Sequence, residues 1–428
     1  MKTIFHWFLL LLALLTPSVG RADDWAQWGG PQRDLKWRES GIVDQFDTDG
    51  LLPRVWSIPI KEGYAGPAVA KGRVYVTDRD VQQQTERVLC LNAESGQQIW
   101  KKEYPAKYTV SYPAGPRTTP VIDGDRVYVI GAVGHMFCLD AATGDEVWKK
   151  HFPSDYGTTL PIWGMAAAPL VDGDRLITLV GGTNGALVVA FNKSTGEEIW
   201  RSLDDPAVGY CPPVIYEFGG RRQLIIWHPS AVSSLDPETG QQLWNVPWEI
   251  RSGLCIPMPR KINDQLFLTA FYNGPAMLRV DADGAQIVWK GSSNNERPDQ
   301  TDGLHSIMST PWVTPEHIYG VCSYGALRCL DTNTGKRLWS THEATGDDRW
   351  WNAFIVKHGD RYFLHNEQGD LIIARLSGDG YEEVSRAKLI EPTRQVRRRM
   401  TIWSHPAFAM KSVFARNDRE LVRVSLAK

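Results

Sequence analysis

Six cysteines scattered through 428 residues form no CxxC pair. A zinc site of the usual spacing therefore has no support. Also missing are a Gly-x-Ser-x-Gly elbow, a Gly-rich phosphate loop and a His-Glu-x-x-His pair. The commonest hydrolase, nucleotide-binding and metalloprotease signatures are thus absent. Neither charge dominates: 47 Lys and Arg face 49 Asp and Glu, for a net charge of −2. No global field favours nucleic acid or an anionic membrane, and no nucleic-acid partner is expected. One basic run, residues 394–399, reads as a solvated loop. Beyond the N-terminal segment no stretch is apolar enough to span a bilayer.

That N-terminal segment has the pattern of an export signal. Lys2 precedes an apolar run over residues 4–15, followed by Pro17 and small residues. The run is short for a membrane span, and cleavage is expected after Ala22. Residues 1–22 are read as a signal peptide, with an uncleaved anchor as the alternative. No Cys lies near the cleavage point, so a lipid anchor of the bacterial type is not expected. The location predicted is periplasmic or secreted, with no integral span after cleavage.

What the chain has in abundance is Trp (18) and Gly (38), a mixture suited to β-rich folds in which large aromatics fill gaps between sheets. They recur in order. Segments run from Asn92 to Trp100, Asp140 to Trp148, Asn192 to Trp200, Asp236 to Trp244, Asp281 to Trp289 and Asp331 to Trp339, always eight positions apart. Their starts differ by 48, 52, 44, 45 and 50 residues, the length of a propeller blade. Five of the six carry Gly four residues after the Asp or Asn; the segment from Asp281 moves it to Gly284. Asp or Asn can hydrogen-bond its own turn while Gly supplies a positive φ. The Trp then opens an outer strand and is predicted to wedge between neighbouring blades.

Alternating apolar residues around a Lys-Gly or Asp-Gly turn, as in residues 68–76 and 121–130, give two further strands per repeat. Each period therefore holds strands A to D. Residues 362–380 form a seventh copy with Ser385 near the expected Trp, and residues 413–424 give inner strands of an eighth. Its missing D strand is assigned to the segment around Trp56, which precedes Trp100 by 44 residues. The fold class is all-β: an eight-bladed propeller closed by pairing of its N- and C-terminal strands. It would occupy residues 51–428, with residues 23–50 an extension outside the ring. Cys90, Cys138 and Cys329 fall at one repeat position in different blades, too far apart to bridge, and read as small buried hydrophobes. Cys211 and Cys255 match one another in adjacent blades, again at a spacing unsuited to a redox pair.

Repeats of the form Asp-x-x-Thr-Gly-x-x-x-Trp, as at Asp140, Asp236 and Asp331, resemble those of the pyrroloquinoline quinone (PQQ)-type β-propeller superfamily. Residues 24–31, from Asp24 and Trp25 to Pro31, resemble the start of its exported bacterial members. The resemblance covers the whole chain after the signal and implies the fold, not one activity. The superfamily includes quinoprotein dehydrogenases and also non-catalytic scaffolds such as the lipoprotein of the outer-membrane protein assembly machinery. In the dehydrogenases two adjacent cysteines stack on the quinone, and Glu, Asn and Asp hold calcium, with an Asp as base. This sequence has no Cys-Cys, offers no alignable ligand set and is short for that class. The assembly lipoprotein has a lipidated Cys that is missing here.

A site is expected on the face shared by the D–A and B–C connections, which vary from blade to blade, as functional loops on a rigid scaffold do. Tyr64, Arg117, Trp163, Tyr210, His305, Trp351 and His405 stand before inner strands of seven blades, with Cys255 in the matching place of the remaining one. Equivalent positions in a ring surround its axis, so these groups are predicted to converge at the channel mouth. His135, Asn184, His228, Tyr272, Asn273, Tyr324, Glu367 and Arg416 would lie farther out, with Arg117 and Arg416 as forks for a carboxylate. Trp56, Trp100, Trp148, Trp200, Trp244, Trp289 and Trp339 are assigned to blade docking, and capping the core is the plainer alternative for Trp163, Trp351 and Trp403. No catalytic set emerges: His305, His405, Asp302 and Glu367 are candidates by location alone. The expected function is a binding scaffold for a protein partner or small polar ligand, with no metal. The alternative is a PQQ- and calcium-dependent oxidoreductase, and a third reading is a sugar-acting enzyme.

Overall fold

Each blade is shaped by its Asp or Asn turn. Asp140 Oδ1 accepts the backbone N–H groups of Ala142 (2.8 Å) and Thr143 (3.0 Å). Asn92, Asn192 and Asp236 hold their turns in the same way. The turn throws the chain into an outer strand that pairs back on its neighbour. In the computed structural model, which describes residues 24–428, the result is eight four-stranded antiparallel sheets. The signal-peptide reading of residues 1–22 lies outside the described residues. The innermost strands of blades 1 to 8 are Ala68–Ala70, Val121–Asp123, Leu170–Asp172, Val214–Phe218, Arg260–Ile262, Trp312–Val313, Ala353–His358 and Ala407–Ala409. The ring closes as the repeat count predicted: Arg54–Pro59 pairs antiparallel with Glu420–Ser425 as the outer strand of blade 8. Arg54 clamps Glu420 across that seam through two bonds of 2.6 and 2.9 Å.

Blades are joined by indoles. Trp56, Trp100, Trp148, Trp200 and Trp289 each donate Nε1–H to a carbonyl in the following blade: Ala93 (3.0 Å), Ala141 (3.1 Å), Lys193 (3.0 Å), Pro237 (3.3 Å) and Thr332 (3.0 Å). Every one of those acceptors is the residue just after the turn's Asp or Asn. The turn glycine lies against the ring face. A Cβ on Gly144 (φ 80°) would stand 2.6 Å from Trp100, and one on Gly196 (φ 74°) 2.7 Å from Trp148. Glycine is therefore required twice over, for the left-handed φ and for the close approach. Trp339 docks similarly on Ser377 O, at 2.8 Å.

The two irregular repeats are repaired differently. Blade 5 lacks the turn glycine at its usual place, and Trp244 turns instead to Gln223 Oε1 (2.7 Å), whose Nε2 donates to Asp281 O (2.6 Å). Gln223 thus relays the contact from blade 4 to blade 5. Blade 7 has Ser385 in place of Trp, and there the N-terminal extension fills the wedge: Phe46 N donates to Ser385 Oγ (2.9 Å), Leu52 N to Lys388 O (2.8 Å) and Val43 N to Leu426 O (2.9 Å).

The extension adds no strand to a blade, but it does not stand outside the ring. Trp25 pairs with Val69 in both directions, at 2.7 and 2.9 Å. Ala26 O accepts from Ile122 N, Arg33 Nη1 reaches Pro169 O, Asp34 O accepts from Arg260, and Trp37 N reaches Lys357 O. These contacts touch the inner strands of five blades, so residues 25–37 cross the hub. Trp25 and Trp37 are each 1% exposed. The gain is apolar burial that small inner-strand residues such as Ala68 and Ala407 leave room for. All six cysteines are buried and free. No helix among the described residues is long and apolar enough to cross a membrane.

The Gln223 relay is testable. Gln223→Ala leaves the buried Trp244 N–H and the Asp281 carbonyl unpaired, and should lower stability by about 1–3 kcal/mol in chemical denaturation. An unchanged midpoint would mean that the indole finds another acceptor and the relay is dispensable.

Candidate functional site

The crossing segment gives the hub a floor. Above it lies a cavity of about 340 Å³ whose floor includes Trp28. Tyr64, Arg117, Trp163, Tyr210 and His405 line it, so five of the seven residues placed at the mouth by sequence meet there. The other two do not. His305 is wholly buried behind the wall, its Nδ1 3.1 Å from Phe271 O. Trp351 packs between the two loops bearing Gly325 and Gly346, where a Cβ on either would stand 2.6 Å or less from it. Its neighbour Trp350 lines the cavity in its stead.

Sequence reasoning also missed Trp28, Tyr112 and Phe354, and named Trp403 only among residues that would cap the core; all four line the cavity. Of the outer set only Tyr272 reaches it. Arg416 is 1% exposed and bonded to the carbonyls of Thr77 (2.6 Å), Lys61 (2.5 Å) and Asn417 (3.2 Å), so it is no free fork for a carboxylate. His228 is fixed between Asp205 (2.5 Å) and Ser233 (3.0 Å). Glu367 is buried and accepts from Trp403 Nε1 (3.0 Å) and Arg399. Asn273 bonds the backbone of Arg251 and Glu249. His135 packs on His151 with ring centroids 4.4 Å apart, and Asn184 is an exposed bend residue at φ 57°.

The walls are aromatic and mutually braced. Tyr64 stacks on Trp403 with centroids 6.3 Å apart, and Trp163 lies 5.7 Å from Tyr210. Tyr112 and Trp350, from loops on opposite sides of the ring, meet edge to face at 6.5 Å, and Tyr112 also meets Trp403 at 5.7 Å. Both sit at positive φ, 52° for Tyr112 and 72° for Trp350. That conformation is costly for a bulky residue and clusters at functional sites. The Arg349 guanidinium braces Trp350 from 4.9 Å and that of Arg397 from 5.9 Å.

Polar groups are few. Arg117 uses both Nη atoms on the carbonyls of Ser111, Tyr112 and Gly115, so it keeps a charge near the cavity but no open fork. Burial lowers its pKa. It lies over Tyr64, whose hydroxyl is buried without a partner and whose pKa burial raises. His405 Nε2 lies 2.7 Å from Thr119 Oγ1, and burial pushes the imidazole down to about 4. No Asp or Glu lines the cavity, and no cluster of three or more metal-ligating side chains occurs among the described residues.

The basic run is not a solvated loop. Arg394–Val396 and Arg399–Thr401 form a hairpin at the rim. Arg394 pairs with Asp418 (2.7 Å) and lies over Tyr64, while Arg399 joins Asp348 (2.7 Å) to Glu367. The hairpin thus belongs to the wall.

Comparison with known proteins agrees with this architecture. The family model described as outer membrane protein assembly factor BamB matches residues 39–114, 84–341 and 228–425. Among solved structures, BamB from Moraxella catarrhalis is 16% identical with a TM-score of 0.60, covering 87% of this chain and 97% of that one. Quinohemoprotein alcohol dehydrogenase from Comamonas testosteroni is 15% identical with a TM-score of 0.61, covering 95% and 81%. A europium-containing methanol dehydrogenase is 13% identical with a TM-score of 0.63, covering 94% and 89%. At such identities the likeness is one of fold. No curated protein matches the chain.

Burial of the imidazoles sets a pH dependence. His305, His365 and His405 are each held neutral, with pKa values pushed down to about 4. An unfolded histidine takes up its proton near 6.5, so between about pH 6.5 and 4 the unfolded chain binds protons that the folded one refuses. Stability should fall as pH drops through that window, by roughly 2 kcal/mol per histidine at pH 5. Glu86 and Glu367, raised by burial, oppose part of the loss. Denaturation of His405→Asn should show a shallower slope than the parent over this range; parallel slopes would refute a neutral, desolvated His405.

Proposed function

This chain belongs to the family of outer membrane protein assembly factor BamB, and from that premise we propose that it is an exported, non-catalytic binding module of the bacterial envelope. Its working surface is the aromatic hub cavity, which takes a planar or sugar-like group, either free or carried on a protein partner. The observation that carries this reading is the pair Tyr112 and Trp350. Two strained aromatics from opposite loops, braced by arginines, close over an aromatic chamber, as expected where rigid rings must grip a flat group. Exposed apolar side chains support a contact face: Ile162, beside Trp163, is 60% exposed and Met400, in the rim hairpin, 40%.

Acid–base chemistry finds little to work with here. A general acid or base needs a pKa near the working pH, whereas burial holds the one imidazole of the lining near 4. The quinone and calcium that the resemblance to quinoprotein dehydrogenases implies do not fit the residues present. Calcium takes six to eight oxygen ligands, carboxylates foremost, and the lining has no carboxylate. The adjacent cysteine pair is also missing.

Two measurements test the proposal. Titration with PQQ, followed by Trp fluorescence, should show no calcium-dependent saturation. Saturable quenching that requires calcium and disappears in Arg117→Ala would transfer the chain to the oxidoreductases. A photo-crosslinking residue at Ile162, activated in intact cells, should give a discrete adduct. Trp350→Gly should lose that adduct without losing stability, because glycine relieves the left-handed strain. If the adduct persists in Trp350→Gly, the hub cavity does not bind the partner.

A further inference from the structure

A second cavity, of about 280 Å³, lies in blade 6 and shares no lining residue with the hub. Arg328, Arg337, Tyr324, Ser323, Ser340 and His342 line it, and no Asp or Glu does. Arg328 is only 3% exposed. Its Nη1 is held by neutral oxygens: Gly303 O (2.6 Å), Thr301 Oγ1 (3.0 Å) and Thr301 O (3.3 Å). Its Nε is buried without a partner, and Nη2 has none among the described residues. Neither nitrogen of the Nε–Nη2 edge, the side of a guanidinium that grips an oxyanion with two parallel bonds, thus has a protein partner.

Ser340 lies directly opposite Arg328 in the sheet register, and Arg337 supplies a second guanidinium bonded only weakly, to Thr301 O at 3.3 Å. His342 ties its Nδ1 side to Gly346 O at 3.0 Å. A buried cation with no anion costs several kcal/mol unless something compensates it. Asp302 acts on Arg328 only at a distance, and burial depresses the guanidinium pKa.

The repeat supplies an independent argument. Arg328 stands three residues before its turn Asp, where other blades have Leu89, Phe137, Val189 and Ser233. Arg337 stands six residues after it, where other blades have Gln98, Glu146, Glu198 and Gln242. Both positions therefore change from apolar, neutral or acidic to basic in one blade. Docking does not require the change, because the same turn and Trp work elsewhere without it.

We infer that the blade 6 cavity is a binding site for a compact oxyanion of the phosphate class, gripped by Arg328 and Arg337 with the hydroxyl groups of Ser340 and Tyr324. Two guanidinium charges match a dianion. The anion could be free phosphate or the phosphate of a lipid headgroup.

Calorimetric titration of the full chain with inorganic phosphate, at constant ionic strength, tests the site. The parent should saturate. Arg337→Gln, which installs the residue that blades 1 and 4 carry, should weaken binding about tenfold or more, and Arg328→Leu, as in blade 1, should abolish it. Arg337 is exposed, so its variant will fold whatever becomes of Arg328→Leu. A flat titration of the parent, or an Arg337→Gln variant that binds like the parent, overturns the assignment. Sedimentation with phosphatidylglycerol vesicles distinguishes the sources: co-sedimentation competed away by phosphate identifies a headgroup, and its absence alongside calorimetric binding identifies the free ion.

Discussion

The structure depends on an indole N–H that reaches across a gap between sheets. A four-stranded blade cannot bury both of its faces alone. Its neighbour must come close enough to exclude water, and the turn glycine permits that approach by removing the Cβ that would strike the ring. The hydrogen bond then fixes the angle at which the next blade begins. One residue, Trp, therefore supplies the apolar area, the spacing and the direction of the ring. This explains why the repeat keeps its eight-residue interval while blade length varies from 44 to 52 residues. Connections can lengthen freely on the face where the indoles do not act.

Where the docking rule lapses, the replacements have structural consequences. Gln223 restores a single bond. The N-terminal extension does more, because one segment fills the wedge between blades 7 and 8 and then closes the hub from within. Arg33 crosses with it, wholly buried, and is held by Pro169 O (2.7 Å), Gln27 Oε1 (3.2 Å) and Ala168 O (3.4 Å). Burial lowers its pKa to about 10, so it remains charged. Trp28 gives the cavity a bottom, and a channel becomes a chamber.

The blades, their number and the closure were legible because each rests on a local rule repeated many times. A degenerate copy, such as the one with Ser385 in place of Trp, is placed by the others. The site was legible most directly where the loops kept to that rule, although Trp163 and His405 reach the cavity from other spacings. Tyr64, Arg117 and Tyr210 each stand four residues before an inner strand and point to the axis. His305 stands seven residues and Trp351 two before an inner strand, and there equivalence of position does not guarantee equivalence of direction. Trp350 and Trp351 are adjacent in sequence, and a left-handed backbone at Trp350 decides which of them faces the cavity. Nothing in the identity of a tryptophan announces that φ. Trp28 was hidden for another reason: it lies outside the repeat, so no copy marked its place. The basic run was misjudged because its carboxylate partners, Asp348, Glu367 and Asp418, come from distant parts of the chain.

Several arginines inside this protein face backbone oxygens instead of carboxylates, and the way each is satisfied separates scaffold from site. Arg416 uses all three of its nitrogens on carbonyls and is complete. Arg117 uses both Nη atoms to hold the 111–115 loop, so its charge steers while its fork is occupied. Arg328 uses one nitrogen only and lines a cavity. Carbonyl oxygens are partial charges. They can position a guanidinium but neutralise little of it, so a full negative charge remains favourable wherever there is room and an open edge. At Arg416 there is neither. At Arg117 there is room but no open edge, which suits a chamber that grips by its rings. At Arg328 there are both, which suits a site that grips by charge. Arg328 and Arg416 are almost equally buried, at 3% and 1% exposed, while Arg117 is only partly so; the unpartnered edge, more than the depth of the charge, determines where an anion can bind.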